Sequence, residues 1–274
     1  MTTSNGTVHD ALSTEIMRRE LQSETFPSRI LIFTSVLPST SGVLRALAAQ
    51  GAGEGTVVIA EQLAAGAGRP REAWFSPPGV NLCLSVLLRS GLPSGSLDLL
   101  PMVAALALAE TVEDEGLRAG LKWPNDVLVG GRQVGATFVE SVPGADGCEW
   151  AIVTVGVNLN ISAEALQAGL GGAAERATSL CEAAGREVDR NRFAARLLNR
   201  LDAWLEAWRQ RGPEPILVAW RRRDVLAGRA VIIRNRGAAH HRRVVGVNHR
   251  GHLVVEDPAG GAYEIVGGDV QLVA

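Results

Sequence analysis

Cysteine is scarce in this chain, and its three residues follow no metal-binding or redox spacing. Cys83, Cys148 and Cys181 are odd in number and far apart, and no CxxC pair or Cys/His cluster occurs. A disulfide framework or a structural zinc site needs more closely patterned ligands. The five histidines likewise have no carboxylate or cysteine at ligand spacing. We therefore expect buried or free thiols and no site of the zinc type.

Long apolar runs and an excess of charge are also missing. No stretch of about 18 apolar residues occurs, and the N-terminus has no charged-then-apolar leader. These absences predict a cytoplasmic protein without a membrane partner. The net charge of -2 is close to neutral, so no global field draws the chain to nucleic acid.

The chain contains enough apolar residues to form the cores of a main domain and a smaller one. The chain has 274 residues, of which 46% are hydrophobic. Residues 1–29 contain one short helical pattern from Leu12 to Leu21 and are predicted to be an N-terminal extension, too small for a DNA-binding domain of about three helices. A main domain is predicted over residues 30–224 and a small β domain over residues 225–274.

The apolar pattern of the main domain indicates an α+β fold, a mixed sheet with flanking helices, because strand-like and helical runs alternate unevenly. The predicted strands are Ile30–Phe33, Thr56–Ile59, Leu82–Leu88, Val127–Val129, Val134–Val139 and Ala151–Val157. The predicted helices are Gly42–Gln50, Leu97–Glu113 and Asp189–Arg211. Five short runs predict a small barrel-like β domain at the C-terminus: Ala230–Arg234, Val244–Val247, Leu253–Glu256, Ala262–Val266 and Val270–Val273.

The segment Leu121–Glu140 is the richest in candidate chemistry. Lys122 and Asp126 flank Trp123-Pro124-Asn125, and the proline restricts its own φ and biases the residue before it toward an extended conformation. Two apolar strands joined by Gly130-Gly131 follow, which predicts a hairpin that supports the charged bend. The alternative is a hairpin whose lysine and aspartate only solvate its end.

Three further clusters contain polar residues at the ends of predicted elements. Gly66–Glu72 (GAGRPRE) has glycines and arginines that suit an anion, although a surface loop explains the pattern equally well and no GxxxxGK[ST] motif occurs. Ser39-Thr40-Ser41 precedes a helix, and such a cluster is more often an N-cap than a ligand site. Gly156-Val157-Asn158-Leu159-Asn160 ends a strand with a polar pair, which is also typical of a simple strand exit.

In this order and at these spacings, the clusters resemble those of the biotin protein ligases, which are related to the lipoate ligases. KWPND at Lys122–Asp126 is highly specific to that family. STS at Ser39–Ser41, AEQ at Ala60–Gln62 and GVNLN at Gly156–Asn160 resemble its other motifs, and Gly267-Gly268-Asp269 resembles its C-terminal segment. The likeness covers about Ile30–Ala274 and implies a catalytic domain followed by an SH3-like β-barrel. The short N-terminus is similar to the subclass that does not act as a repressor.

The resemblance implies an ATP-dependent ligase that makes biotinyl-adenylate and transfers biotin to a lysine of a biotin carboxyl carrier domain. Mg²⁺ would arrive with the nucleotide, with Asp126 as a candidate ligand, and no other metal is expected. Lys122, Asp126, Arg69 and the position of Gln133 are the implied catalytic residues. The implied substrate-binding residues are Ser39, Thr40, Ser41, Gln62, Gly66, Gly68, Trp74, Ser85, Gly135, Gly156 and Asn158.

The sequence departs from the family pattern at several positions. In the glycine-arginine loop, Ala67 and Glu72 stand where the family has arginines, and Leu63 stands where it has a glutamine, with Gln62 adjacent. Gln133 stands where the family has a lysine, and Arg132 would replace that cation only if the turn register shifted by one residue. A ligase of reduced efficiency, a ligase-like binding protein, and a ligase for a related acid such as lipoate therefore remain alternatives.

Overall fold

A seven-stranded mixed sheet and a five-stranded antiparallel sheet organise the chain. A computed structural model describes residues 11–23, 26–64, 74–89, 97–144, 147–235 and 238–273. The large sheet has the strand order β1–β2–β3–β7–β6–β5–β4, in which only β1 and β2 pair in parallel among the described residues. Its strands are β1 Arg29–Leu37, β2 Thr56–Leu63, β3 Leu82–Leu88, β4 Ala119–Lys122, β5 Asp126–Val129, β6 Arg132–Gly144 and β7 Gly147–Val157.

Helices cover both faces of this sheet. They are α1 Thr14–Glu20, α2 Thr40–Ala49, α3 Leu100–Glu113, α4 Ala163–Leu170, α5 Leu180–Ala184, α6 Arg190–Arg211 and α7 Glu214–Arg221, with 3₁₀ helices at Leu97–Leu99 and Gly171–Arg176. Helix α3 is apolar all round and is almost entirely buried, as expected of a helix packed on every side. None of the described helices is both long and apolar enough to cross a lipid bilayer.

The central strand β3 shows how the sheet separates two layers. All seven of its residues are buried. Leu84 and Val86 belong to the apolar cluster that includes α3, whereas Leu87 belongs to a second cluster with Leu44 of α2. Because successive strand residues point to opposite faces, Ser85 lies on the α2 side together with Leu87. The hydroxyl of Ser85 is therefore directed toward the start of α2.

The second sheet is built from β8 Ala230–Asn235, β9 Ala238–Val247, β10 Leu253–Glu256, β11 Ala262–Ile265 and β12 Asp269–Leu272. The described residues pair in the open order β11–β10–β9–β8–β12, so the C-terminal part is a five-stranded antiparallel sheet and no closure into a barrel is seen. The turn between β9 and β10 lies against the main sheet's helix layer, where Gly251 contacts Leu99 and Met102.

The α+β architecture and the all-β C-terminal part are confirmed, and each predicted strand and helix falls on an observed one. The edge strand β4 and the helices α4, α5 and α7 lacked a clear pattern and were not predicted. The short N-terminal helix is present, and its Met17 is fully buried in the main apolar cluster. The boundaries at residues 29 and 224 remain predictions.

Candidate active site

The segment Lys122–Asp126 forms a tight bend between the edge strand β4 and its neighbour β5. Lys122 and Asp126 pair directly across β4 and β5, with Trp123-Pro124-Asn125 as the connecting turn and a cis peptide bond before Pro124. The lysine Nζ donates to Asp126 Oδ2 at 2.7 Å. The two side chains are 22% and 18% exposed, so the ion pair is partly shielded from water. The predicted bend therefore brings the two charges together.

Contacts from two directions hold this bend. The Asn125 side-chain amide donates to the carbonyl of Thr137 on β6, and the Thr137 N–H donates back to the Asn125 carbonyl at 3.1 Å. The indole Nε1 of Trp123, which is 2% exposed, donates to the carbonyl of Gly251 at 2.8 Å. A preorganised site needs this kind of support for its charged groups.

Gln133 joins the same network. Its Nε2 donates to Asp126 Oδ1 at 2.7 Å, so the carboxylate is shared between a cation and a neutral amide. The β5–β6 register shifts beside it, because Leu128 pairs with Gln133 and Val127 pairs with Gly135. Arg132 is exposed and lines a shallow depression with Glu175 and Glu182. Arg132 thus lines a different depression from the one that Gln133 lines.

A cavity of about 410 Å³ lies beside the bend and is lined in part by Trp123, Pro124 and Asn125. A chain of hydroxyls stands in or next to its wall: Thr40 Oγ1 is 2.7 Å from Ser85 Oγ, which is 2.8 Å from Thr154 Oγ1. Thr40 and Ser85 are buried, and each hydroxyl can donate or accept. The remaining wall is mixed apolar and polar: Pro38, Ser39, Ser41, Leu63, Trp74, Cys83, Leu97, Asp98, Pro101, Met102, Thr137, Phe138, Val139, Glu140, Ser141, Val155, Gly156, Gly251, His252 and Val266.

Ser39 and Ser41 also have a structural role at the start of α2. Ser39 Oγ accepts from the Gly42 N–H at 3.2 Å and caps the helix, and it lies 2.9 Å from Ser41 Oγ. Ser39 is therefore the N-cap of α2 and also lines the larger cavity. Burial raises the pKa of the Cys83 thiol to about 12, so this cavity-lining group stays protonated and unreactive at neutral pH.

A smaller cavity of about 170 Å³ lies on the other side of Trp74, which lines both. The indole packs on Gly156: a Cβ at that position would stand 2.7 Å from Trp74 Cδ2. The indole Nε1 is buried without a hydrogen-bond partner among the described residues. The other lining residues are Phe75, Gln133, Asn158, Leu170, Ala173, Arg176 and Ala177.

Asn158 combines this lining position with structural hydrogen bonds. Its Nδ2 donates to the Thr178 carbonyl at 3.1 Å, its N–H donates to Val134 at 2.8 Å, and its carbonyl accepts from Leu180 at 2.9 Å. The polar residue at the end of the strand thus also lines the smaller cavity. Gly135 is a packing position, since a Cβ would stand 2.8 Å from Leu108 Cδ2 and 3.0 Å from the Gly156 carbonyl.

The remaining predicted site residues lie at the end of β2. Leu63 lines the larger cavity, and Gln62, the residue before it, is not among the lining residues that the structure describes. Glu61 of the AEQ motif forms a buried ion pair with Arg190 at 2.7 Å and accepts from the Leu12 N–H at 3.0 Å, so it joins helices α6 and α1 to the sheet. Gly66, Gly68 and Arg69 lie outside the described residues.

Several lining residues were not predicted from the sequence. Trp123 and Asn125 belong to the KWPND motif, so the motif itself could have identified them as site residues. Thr154 follows from alternation along β7, because it pairs with Ser85 of β3. Nothing local in the sequence marks Asp98 or His252, whose side chains meet from positions far apart in the chain. The described residues contain no group of three or more His, Cys, Asp or Glu side chains that could hold a metal ion.

Comparisons with known proteins agree with this geometry. Residues 33–160 match the model of the biotin/lipoate A/B protein ligase family. The biotin–acetyl-CoA-carboxylase ligase of Mycobacterium tuberculosis is 31% identical over 242 residues, covering 85% of this chain and 85% of that protein. The corresponding ligase of Paracoccus denitrificans is 32% identical over 206 residues, covering 74% of this chain and 85% of that protein.

A solved structure shows the same fold. Biotin protein ligase from Aquifex aeolicus, in complex with biotin and ATP, superposes with a TM-score of 0.74 over 89% of this chain and 98% of that chain, at 23% sequence identity. With a KWPND bend supported by two sheets, two adjoining cavities, and relatives above 30% identity over most of their length, this chain belongs to the biotin protein ligase family.

Proposed function

We propose that this protein is an ATP-dependent biotin protein ligase. It joins biotin to AMP, releases pyrophosphate, and then transfers the biotinyl group to a lysine of a carboxyl carrier protein. The observation that carries the proposal is that two cavities adjoin at Trp74, with the Lys122–Asp126–Gln133 network beside them. A reaction that joins two small molecules needs two neighbouring pockets and a cation at their junction.

Biotin is assigned to the larger cavity. The hydroxyls of Thr40 and Thr154 on its wall, joined through the buried Ser85, offer donors and acceptors to a cyclic urea, and Leu63 and Val155 offer apolar surface to a ring and an alkyl tail. Ligand sites commonly combine such apolar walls with a few placed polar groups. The carboxylate end of the tail would then approach the KWPND bend.

The nucleotide base is assigned to the smaller cavity. Trp74 offers an aromatic face there, and stacking of a base on an aromatic ring is worth about 1–3 kcal/mol. Gln133 and Asn158 supply polar atoms along the same wall. Because Gln133 and Lys122 share Asp126, a nucleotide in this cavity directs its phosphates toward the lysine.

Lys122 then neutralises the charge that develops at the α-phosphorus when the biotin carboxylate attacks. Such stabilisation is strongest where the cation is fixed in advance and shielded from water. Asp126 fixes the lysine by the contact at 2.7 Å. Gln133 holds the second carboxylate oxygen and contributes no charge of its own.

Asp126 is also the residue that would coordinate a nucleotide-bound Mg²⁺. Each of its oxygens accepts one hydrogen bond, from Lys122 or from Gln133, and keeps a further lone pair for a ligand. Mg²⁺ usually retains several waters and is held by substrate phosphates with one or two carboxylates. The bend therefore suits an ion that arrives on the nucleotide, and the ion would neutralise phosphate charge.

The test uses the purified chain with biotin, lipoate and Mg·ATP, and measures pyrophosphate release and the acyl-adenylate by mass spectrometry. Biotin-dependent release that is absent with lipoate is the expected result, followed by transfer to a carrier domain with its acceptor lysine. Release with lipoate alone would identify a lipoate ligase. Biotin binding without release would identify a binding protein, the reading that Gln133 in place of a cation favours.

A further inference from the structure

The turn between β9 and β10 connects the C-terminal sheet to the candidate active site. Its Gly251 has a φ of +82° and packs so closely that a Cβ would stand 2.7 Å from Leu99 Cδ2 and 2.8 Å from Met102 Sδ. The carbonyl of the same residue accepts the hydrogen bond from Trp123 in the KWPND bend. The position of this turn therefore fixes one side of the bend.

His252, the next residue, joins the turn to two other elements through its two ring nitrogens. Its Nε2 lies 3.1 Å from Asp98 Oδ2 on the 3₁₀ helix before α3, and its Nδ1 lies 3.3 Å from Glu264 Oε2 on β11. The histidine side chain is only 9% exposed, whereas both carboxylates are 57% exposed. Asp98, Gly251 and His252 all line the larger cavity together with the KWPND turn.

We propose that His252 is a positioning residue for adenylate formation: bridging Asp98 and Glu264, it holds Gly251 against Trp123 and so keeps the KWPND bend in its working position. The inference rests on the proposed ligase function. No substrate contact is assigned to His252, which acts through the hydrogen bond between Gly251 and Trp123.

The His252 ring lies between two carboxylates. Both ring nitrogens face carboxylate oxygens, and both can donate only when each carries a proton. The charged groups that face the ring are Asp98 and Glu264. The positive charge of Arg250, in the same turn, attracts the Glu264 carboxylate. The hydrogen bond from His252 holds the pKa of Glu264 below its usual range. The contact with Glu264 thus persists to low pH and is lost as pH falls through that lowered pKa.

The biotin-facing hydroxyls are separate from this bridge. Thr40, Ser85 and Thr154 lie on α2, β3 and β7 and bond to one another. Loosening His252 should therefore slow adenylation much more than it weakens biotin binding, a separation that general unfolding would not produce.

The experiment compares His252→Ala and His252→Gln with His249→Ala, a matched control at an exposed histidine of the same turn. His252→Ala should lower kcat for biotin-dependent pyrophosphate release about tenfold and change the biotin Kd by a much smaller factor. His252→Gln should recover part of the rate because it keeps one donor. His249→Ala should match the wild type in each measurement.

A second readout does not depend on activity. Exchange of the Trp123 indole N–H, assigned by NMR with Trp123→Phe, should be faster in His252→Ala than in the wild type and unchanged in His249→Ala. Wild-type rates and wild-type indole exchange in a folded His252→Ala protein would overturn the inference. A wild-type chain that releases no pyrophosphate with biotin would instead refute the proposed function, and indole exchange would still decide the role of His252.

Discussion

Lys122 and Asp126 illustrate what a short motif determines at the residue scale. Three residues separate them, and a three-residue turn between antiparallel strands places its flanking residues opposite each other, so their contact follows from the motif. The hydrogen bond from Gln133 to Asp126 was not predictable in the same way. It depends on the register shift beside Val134, and nothing in the apolar pattern of that strand marks an irregular pair.

Replacing Lys122 or Asp126 by alanine should reduce adenylate formation by about 10² to 10³-fold, because the charge at the reacting phosphate or its support is lost. Thermal stability should change little, since a partly exposed ion pair contributes at most about 1 kcal/mol. Lys122→Arg, which keeps the charge, is the matched control and should retain more activity than Lys122→Ala. Near-normal pyrophosphate release by either alanine variant would show that the bend is only structural.

Gln133→Lys should raise the rate of adenylate formation about tenfold, which corresponds to roughly 1.4 kcal/mol of transition-state stabilisation. The added cation would stand beside Asp126, where the Gln133 amide now donates. Arg132→Ala, at the neighbouring residue that faces away from the site, should have little effect. A damaging Arg132→Ala with a silent Gln133→Lys, measured by single-turnover adenylation, would place the missing cation at Arg132 instead.

At the scale of elements, strands with strong apolar alternation and long helices were predictable, and short edge elements were not. Strand β4 has only four residues and contains Gly120, so its own sequence does not predict a strand. Its hydrogen bonds to β5 hold it in the extended conformation. Helix α5 is five residues long and is stabilised by its Ser179 cap and by contacts with Asn158 and Leu159. Such elements are held by tertiary contacts rather than by intrinsic propensity.

The packing of Trp74 on Gly156 of β7 gives a prediction at this scale. Gly156→Ala should displace the indole, because the new Cβ would stand 2.7 Å from its Cδ2 and the backbone strand cannot retreat. We expect weaker binding of both biotin and ATP, measured by calorimetry, since Trp74 lines both cavities. Gly172→Ala is the matched control, with no atom within 4 Å of its Cβ. Unchanged affinities in Gly156→Ala would remove Trp74 from the site.

At the scale of the whole molecule, contacts between distant parts of the chain hold the N-terminal helix and the C-terminal sheet to the main domain. The N-terminal helix is tied to β2 and α6 through Glu61 and Arg190, and the C-terminal sheet is tied to the KWPND bend through Gly251. The sequence predicted both parts as separate units, because local patterns carry no information about contacts more than a hundred residues apart. The histidines seemed isolated for the same reason, although His252 lies between two carboxylates.

The ion pair of Lys122 also bears on whether the protein can biotinylate its own side chains. Lys122 is the only lysine in the sequence, and the other 26 of its 27 Lys and Arg residues are arginines. An acyl-adenylate acylates free amines, and a guanidinium stays protonated and does not compete as a nucleophile. The one ε-amine of the chain is engaged in a hydrogen bond to Asp126 at 2.7 Å.

The enzyme should therefore resist labelling by its own product. After prolonged turnover with biotin and ATP but no carrier, intact-mass measurement should show no biotin on side chains, apart from any on the terminal α-amine. Arg176→Lys, which places an amine on the wall of the smaller cavity, should gain one biotin under the same conditions. The near absence of lysine thus keeps the carrier's lysine as the sole acceptor in reach of the activated acid.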